Sequence, residues 1–215
     1  MFVRDHMISP AVTVAPDIPF QDALKVMQER QLRRLPVVDK KGKLIGIVSE
    51  RDLLYASPSP ATTLSVWELT YLLSKIKVEE LMTRDVVTTT PDTPIEDAAS
   101  LMVEKKVGGL PVVDDDNKPV GIITDRDIFE AFVEMFGGGQ PGLRLTLSVP
   151  QRKGVLAGLS QAIYELGGYI VSFGSFPIPG KEEDGMVVKV QEVRQEQLVD
   201  TLENLGDHVI DAREV

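Results

Sequence analysis

At 215 residues, 43% of them apolar and 26% charged, the chain has the composition of a globular protein and the length of two small domains. A net charge of −10 argues against sequence-independent binding to nucleic acid or an acidic membrane, because both need a positive surface. With no cysteine, disulfides, thiolate metal sites and thiol nucleophiles are excluded. No basic segment followed by an apolar run opens the chain, and no stretch nears 18 apolar residues, so neither a signal peptide nor a membrane span is expected. A cytoplasmic setting fits.

In chain order, Val12-Thr13-Val14 is a short β-prone run. Asp17-Ile18-Pro19 then reads as a helix start, with an acidic cap and proline in the first turn. Ala23, Leu24, Met27 and Leu32 recur at helical spacing. Leu35 to Val38 reads as a buried strand, Lys40 to Lys43 as a turn, and Leu44 to Val48 as the returning strand. Ser49 ends that strand and a helix follows from Arg51. Ser57-Pro58-Ser59-Pro60 is a break. Residues 62–77 read as an amphipathic helix, either a connector packed on the core or a partner surface carrying Trp67.

From Val78 the scheme repeats. Shifted by 75 positions, residues 3–53 fall on 78–128 without a gap, and 21 of the 51 aligned positions are identical. Such a repeat predicts two supersecondary units that bury their apolar faces together. Residues 137–142, Gly-Gly-Gly-Gln-Pro-Gly, read as a linker. Beyond them Leu143 to Val149 alternates as a half-buried strand, 155–166 is helical, 169–176 and 186–193 are strands around an acidic turn at 182–184, 195–205 is helical, and 209–215 is a last strand. The order βαββαβ is ferredoxin-like. The expected domains are residues 1–56, a connecting helix at 57–77, residues 78–136, the linker, and residues 143–215.

The strongest local motif is Gly-Ile-Val-Ser-Glu-Arg-Asp at 46–52 and its echo at 121–127. Ser49 stands three residues before Asp52, and Thr124 three before Asp127. Ser/Thr-x-x-Asp/Glu is a capping box, whose acid serves only backbone donors. The same geometry suits a nucleotide: free N–H groups and a hydroxyl meet a phosphate, and the acid accepts the hydroxyls of a ribose. The repeats differ just before their Leu-Pro step, where the first has Arg33-Arg34 and the second Gly108-Gly109. On charge alone, the first repeat is equipped for a phosphorylated ligand and the second for a less charged one or none. His6 and His208, the two histidines, have no second histidine at metal-ligand spacing, and neither a Gly-x-Ser-x-Gly elbow nor a Walker phosphate loop is present.

The paired units, with Leu-Pro-Val-Val-Asp at 35–39 and 110–114 and the Gly-Ile motif in both copies, resemble tandem CBS motifs, the Bateman regulatory module. The resemblance covers about residues 3–132. It implies two βαββα units related by pseudo-twofold symmetry, with clefts for AMP, ADP, ATP or another adenosyl compound and no required cofactor. It places Ser49 and Thr124 on phosphate or ribose, Asp52 and Asp127 on ribose hydroxyls, Arg34, Arg33, Arg51 and Arg126 near phosphate, and Thr13, Thr88, Pro36 and Pro111 around the ligand. The last 75 residues resemble an ACT domain, a dimerising small-ligand sensor whose ligand loop would contain Gln151, Lys153 and Gly154. Many ligand-binding relatives have aspartate where Gln151 stands. Together with the 62–75 helix, this arrangement resembles the acetoin utilization protein AcuB family.

The resulting expectation is an α/β (α+β) chain of tandem CBS motifs followed by a ferredoxin-like ACT domain. It is expected to be a non-catalytic, homodimeric, cytoplasmic regulator that binds an adenine nucleotide and acts on an unidentified protein partner. The alternatives are an assembly scaffold with vestigial clefts and a nucleotide-processing enzyme.

Overall fold

The computed structural model describes residues 1–55 and 75–215. The predicted 62–77 helix falls almost entirely outside these residues, as does Trp67. The chain divides into two compact units, Met1–Phe129 and Glu130–Val215.

In the first unit, each repeat contributes a short helix, an 11-residue helix, a hairpin and a closing helix. These are α1 (Val3–His6), α2 (Phe20–Arg30), β1 (Arg34–Val38), β2 (Leu44–Ser49) and α3 (Glu50–Tyr55), then α4 (Val78–Leu81), α5 (Ile95–Lys105), β3 (Gly109–Val113), β4 (Pro119–Thr124) and α6 (Asp125–Met135), whose residues from Glu130 on belong to the second unit. Spacing of i, i+3 and i+7 puts Phe20, Ala23 and Met27 on the buried face of α2, and Ile95, Ala98 and Met102 on that of α5. The predicted strand at 12–14 is only a single parallel bridge, Val14 to Val37, because Val14 alone reaches the hairpin: its N–H meets the Pro36 carbonyl. Pro19 and Pro94 stand at the N-cap rather than inside the first turn, and neither helix has a side-chain cap bond. Asp39 is the turn acid of the first hairpin: one of its oxygens accepts the N–H groups of Lys41 and Lys43, which lowers its pKa.

The repeats exchange their opening segments. Ile8 of the first pairs with Ile122 on β4 of the second, and Thr83 of the second pairs with Ile47 on β2 of the first. Gly46 and Gly121 make the exchange possible. A Cβ on Gly46 would fall 2.5 Å from the Met82 sulfur, and one on Gly121 would fall 2.6 Å from the Met7 sulfur. Two pairs of repeated identities, methionine and glycine, are thus one knob and one socket, used twice.

The second unit runs β5 (Leu143–Pro150), α7 (Val155–Glu165), β6 (Tyr169–Pro177), β7 (Glu183–Gln191), α8 (Gln195–Leu205) and β8 (His208–Glu214). Its antiparallel sheet has the order β6-β7-β5-β8, the ferredoxin-like βαββαβ arrangement. Leu143, Leu145, Leu147 and Val149 alternate inward and meet Val188, Val190, Leu159, Ile163, Leu198 and Leu202 in one core. Residues 137–142, read above as a linker, are fastened to this unit. Lys189, 6% exposed, donates to the Gly137 and Gln140 carbonyls at 2.7 and 3.0 Å, and Gln191 donates to the Pro141 carbonyl. The acids read as a turn tip are partly in β7. Glu183 accepts from the Ser148 hydroxyl, and Asp184 accepts from the Gln151 amide.

Candidate functional site

The exchange of opening segments builds a cavity of about 310 Å³ from both repeats. The first supplies Arg34, Ile47, Ser49 and Asp52, and the second supplies Thr83, residues 85–87 and residues 106–109, among them Val87, Gly108 and Gly109. Ile47, Val86 and Val87 form an apolar wall, while Arg34, Lys106, Asp52 and Asp85 bring both signs of charge. Such a mixture of an apolar wall with few convergent polar groups is typical of small-molecule pockets.

Asp52 does both of the jobs read from sequence spacing, with different oxygens. Its Oδ2 accepts the Ser49 N–H at 2.9 Å and the Ser49 hydroxyl at 2.6 Å, while the Asp52 N–H bonds back to the Ser49 Oγ at 3.2 Å. That is a closed capping box. Its Oδ1 carries no hydrogen bond from a described residue, and a carboxylate has lone pairs to spare for a ligand hydroxyl. Asp127 repeats the pattern with Thr124, whose N–H and hydroxyl both reach Oδ2 at 2.7 Å. The cap fixes the carboxylate and leaves one face of it open.

Arg34 lies in the cavity and makes no ion pair with a described residue. Its side chain rests on the glycine pair. A Cβ on Gly108 would fall 2.5 Å from Nη2, and one on Gly109 would fall 3.3 Å from Cδ. The pair, expected in the second repeat's own cleft, is thus placed beside the first repeat's site residues. Gly108 and Gly109 line the cavity that holds Ser49 and Asp52, and they are the seat of the first repeat's arginine.

The other expected ligand residues lie elsewhere. Arg33 is exposed and outside the cavity lining. Arg51 is turned to Tyr55, donating to its hydroxyl at 3.0 Å and stacking on its ring, an interaction that raises its pKa. Arg126 is exposed. Pro36 and Pro111 are buried in their strands, and their carbonyls accept the N–H groups of Val14 and Thr89. Thr88 follows the lining residue Val87, whereas Thr13 follows the segment from Ile8 to Ala11 that bonds to β4, away from Ser49. Lys106 was missed from sequence. It occupies the left-handed C-cap of α5 with φ 54°, which turns the chain into the cavity wall. Its aligned counterpart, Gln31, has the same geometry, so the position is legible only from the repeat.

In the second unit, Gly154 has φ +89° at the N-cap of α7 and open space around it, so the conformation calls for glycine rather than a close approach. Lys153 and Gln151 are exposed. Arg152 donates to the Leu205 carbonyl at 3.1 Å. Beside it Asp207, 2% exposed, has an Oδ1 with no hydrogen-bond partner among the described residues, and burial raises its pKa against the pull of Arg152. No group of three or more His, Asp or Glu able to hold a metal occurs among the described residues, and none of their helices is long and apolar enough to cross a membrane.

The chain is similar to known proteins over this region. It is 37% identical over 127 residues to a homoserine O-acetyltransferase of Methanohalobium evestigatum, 59% of this chain but 23% of that enzyme's length. The CBS domain pair of protein MJ0100, solved in complex with 5′-methylthioadenosine and S-adenosyl-L-methionine, is 32% identical with a TM-score of 0.52, over 61% of this chain and 95% of that one. CBSX2 of Arabidopsis thaliana, solved in complex with AMP, is 33% identical with a TM-score of 0.52, over 62% and 97%. A Vibrio cholerae protein that bears the name AcuB, for acetoin utilization, is 33% identical with a TM-score of 0.51, over 62% and 90%. The two repeats that exchange segments to make the cavity are each matched by the CBS domain family, over residues 3–59 and 78–134, and the chain belongs to that family.

Proposed function

We propose that this protein is a non-catalytic sensor that binds an adenine nucleotide in the cavity between its repeats. The observation that carries the reading is one cavity that holds a capped carboxylate, whose Oδ1 takes no hydrogen bond from a described residue, and a guanidinium that makes no ion pair with one. Asp52 takes the ribose hydroxyls, Arg34 the phosphate, and Ile47, Val86 and Val87 flank the base. Ser49 holds Asp52 in place, and Lys106 adds a second cation toward the phosphate. Complexes of CBSX2 with AMP and of the MJ0100 pair with adenosyl compounds support this ligand class. The two cations favour a phosphorylated member of it.

The second unit serves as an ACT-type module that dimerises the chain or senses a second small molecule. Ligand binding acts on a protein partner by favouring one arrangement of the chain over another, which requires different affinity for the two. A role in acetoin utilization follows the likeness to AcuB.

Calorimetry on nucleotide-stripped protein with AMP, ADP, ATP, NAD and S-adenosylmethionine tests the reading. Saturable heat with one or more phosphorylated compounds is the expected result. No heat and no thermal shift with any of the five would favour the scaffold. Turnover of any of them, lost in Asp52→Ala, would favour an enzyme.

A further inference from the structure

Arg34 is the first residue of β1 and pairs in register with Ser49, while its aligned counterpart, Gly109, opens β3 and pairs with Thr124. The Arg34 side chain crosses from the first repeat onto the second and fills the space over Gly108 and Gly109. That space has no room for another side chain, since a single Cβ at Gly108 would already overlap Nη2. The asymmetry between the repeats is therefore steric as well as electrostatic: the space over the glycine pair is taken by the first repeat's arginine.

A carboxylate of the second repeat lies near the same place. The position a Cβ would take at Gly108 lies 2.5 Å from Arg34 Nη2 and 3.1 Å from Asp125 Oδ2. Asp125 begins α6, two residues before Asp127. Its Oδ1 is occupied by the Arg126 N–H at 2.9 Å, which leaves Oδ2 toward the arginine. The two groups are close but do not form an ion pair. The guanidinium thus lines the cavity and also lies within about 6 Å of a carboxylate of the second repeat.

We infer that Arg34 is a shared cation whose attraction to Asp125 opposes its engagement of a phosphoryl group in the first cleft. The inference rests on the nucleotide reading above and adds its regulation. A phosphate entering beside Asp52 draws the guanidinium from Asp125. Conversely, a cationic ligand or protein group that neutralises Asp125 frees Arg34 and tightens the first cleft. Because coupling between sites is reciprocal, a phosphorylated ligand in the first cleft favours a cation at Asp125 by the same factor.

The test is a double-mutant cycle read by calorimetry with AMP, joined to ligand-free NMR of the Arg34 guanidinium. Asp125→Asn is expected to tighten AMP binding about three- to tenfold, the range of a modest coupling between neighbouring groups. In the Arg34→Met background the same substitution is expected to change nothing. Gly108→Ala adds a methyl against the ends of two side chains rather than against backbone, so it folds and separates the pair, and it too abolishes the effect of Asp125→Asn. Equal tightening with and without Arg34 would overturn the inference, since Asp125 would then act on the ligand directly. In ligand-free protein, Asp125→Asn is expected to shift the Arg34 resonances, and unmoved resonances would overturn the inference whatever binds. If the wild type takes up no AMP while those resonances do shift, the nucleotide reading fails and the contact between Arg34 and Asp125 stands.

Discussion

In the first repeat β1 opens with Arg34 opposite Ser49, and in the second β3 opens with Gly109 opposite Thr124. Beyond that point the two hairpins are matched residue for residue. Pro36 meets Ile47 as Pro111 meets Ile122, and the register slips after Val37 as it does after Val112. The preceding helices are both 11 residues long and both end in a left-handed residue other than glycine, Gln31 and Lys106. The residues common to both repeats specify the backbone. Those that differ set the cavity's asymmetry, because a cavity made from both repeats receives the Arg34 side chain from the first where it receives bare backbone from the second.

The largest effect should come from the shared residues and be equal in both repeats. Leu35 and Leu110 are aligned, and both are 0% exposed. Leu35→Ala and Leu110→Ala should each lower the unfolding free energy by about 2–5 kcal/mol, the usual range for a buried leucine. Urea denaturation measures both. Losses that differ by more than the error of the method would mean that the two frames are packed differently despite their common register.

The next effect should be unequal. Asp52 and Asp127 both cap, so Asp52→Ala and Asp127→Ala should each cost about 0.5–2 kcal/mol of stability. Only Asp52 stands with Arg34 in the described cavity. Asp52→Ala should also weaken AMP binding by about 10- to 150-fold, from the loss of roughly 1.5–3 kcal/mol of hydrogen bonding involving a charged group. Asp127→Ala should leave that affinity within about twofold of wild type, given the typical additivity of separated sites. A comparable loss of affinity in both variants would make the two acids equivalent and break the comparison.

Much of this was legible in the sequence because repetition makes local signals agree. Leu-Pro-Val-Val-Asp, the turn and the Gly-Ile strand were readable in either copy alone. The exchange of opening segments was not, because it depends on a methionine in one repeat meeting a glycine in the other, 36 residues apart for Gly46 and Met82 and 114 for Met7 and Gly121. Each was visible as an identity, but no periodicity links them. The same holds for Arg34: charge counting assigned it to one repeat and its absence to the other, whereas packing puts both in one place. In the second unit, alternation marks β5, but a run rich in glycine reads as a linker because the lysine that holds its carbonyls is about 50 residues away.

The smallest effect concerns the hairpin turns, where Gly42 and Asn117 are aligned. Both have positive φ, 76° and 61°. Space is open around Gly42, so Gly42→Ala suffers only the backbone strain of a left-handed residue, roughly 1–2 kcal/mol. Gly42→Asn should be better tolerated, since asparagine adopts this conformation readily. Asn117 has a further task. Its carbonyl accepts the Leu44 N–H at 2.9 Å, and its side-chain amide donates to the Leu44 carbonyl at 3.3 Å, tying the second turn to β2 of the first repeat. Asn117→Gly keeps the conformation and removes only the side-chain bond, for an expected loss of about 0.5–1.5 kcal/mol. Asn117→Ala adds the strain and should therefore cost more than Gly42→Ala in the same urea titration. Equal costs would mean that the amide bridge to Leu44 contributes nothing and that the two turns are energetically interchangeable.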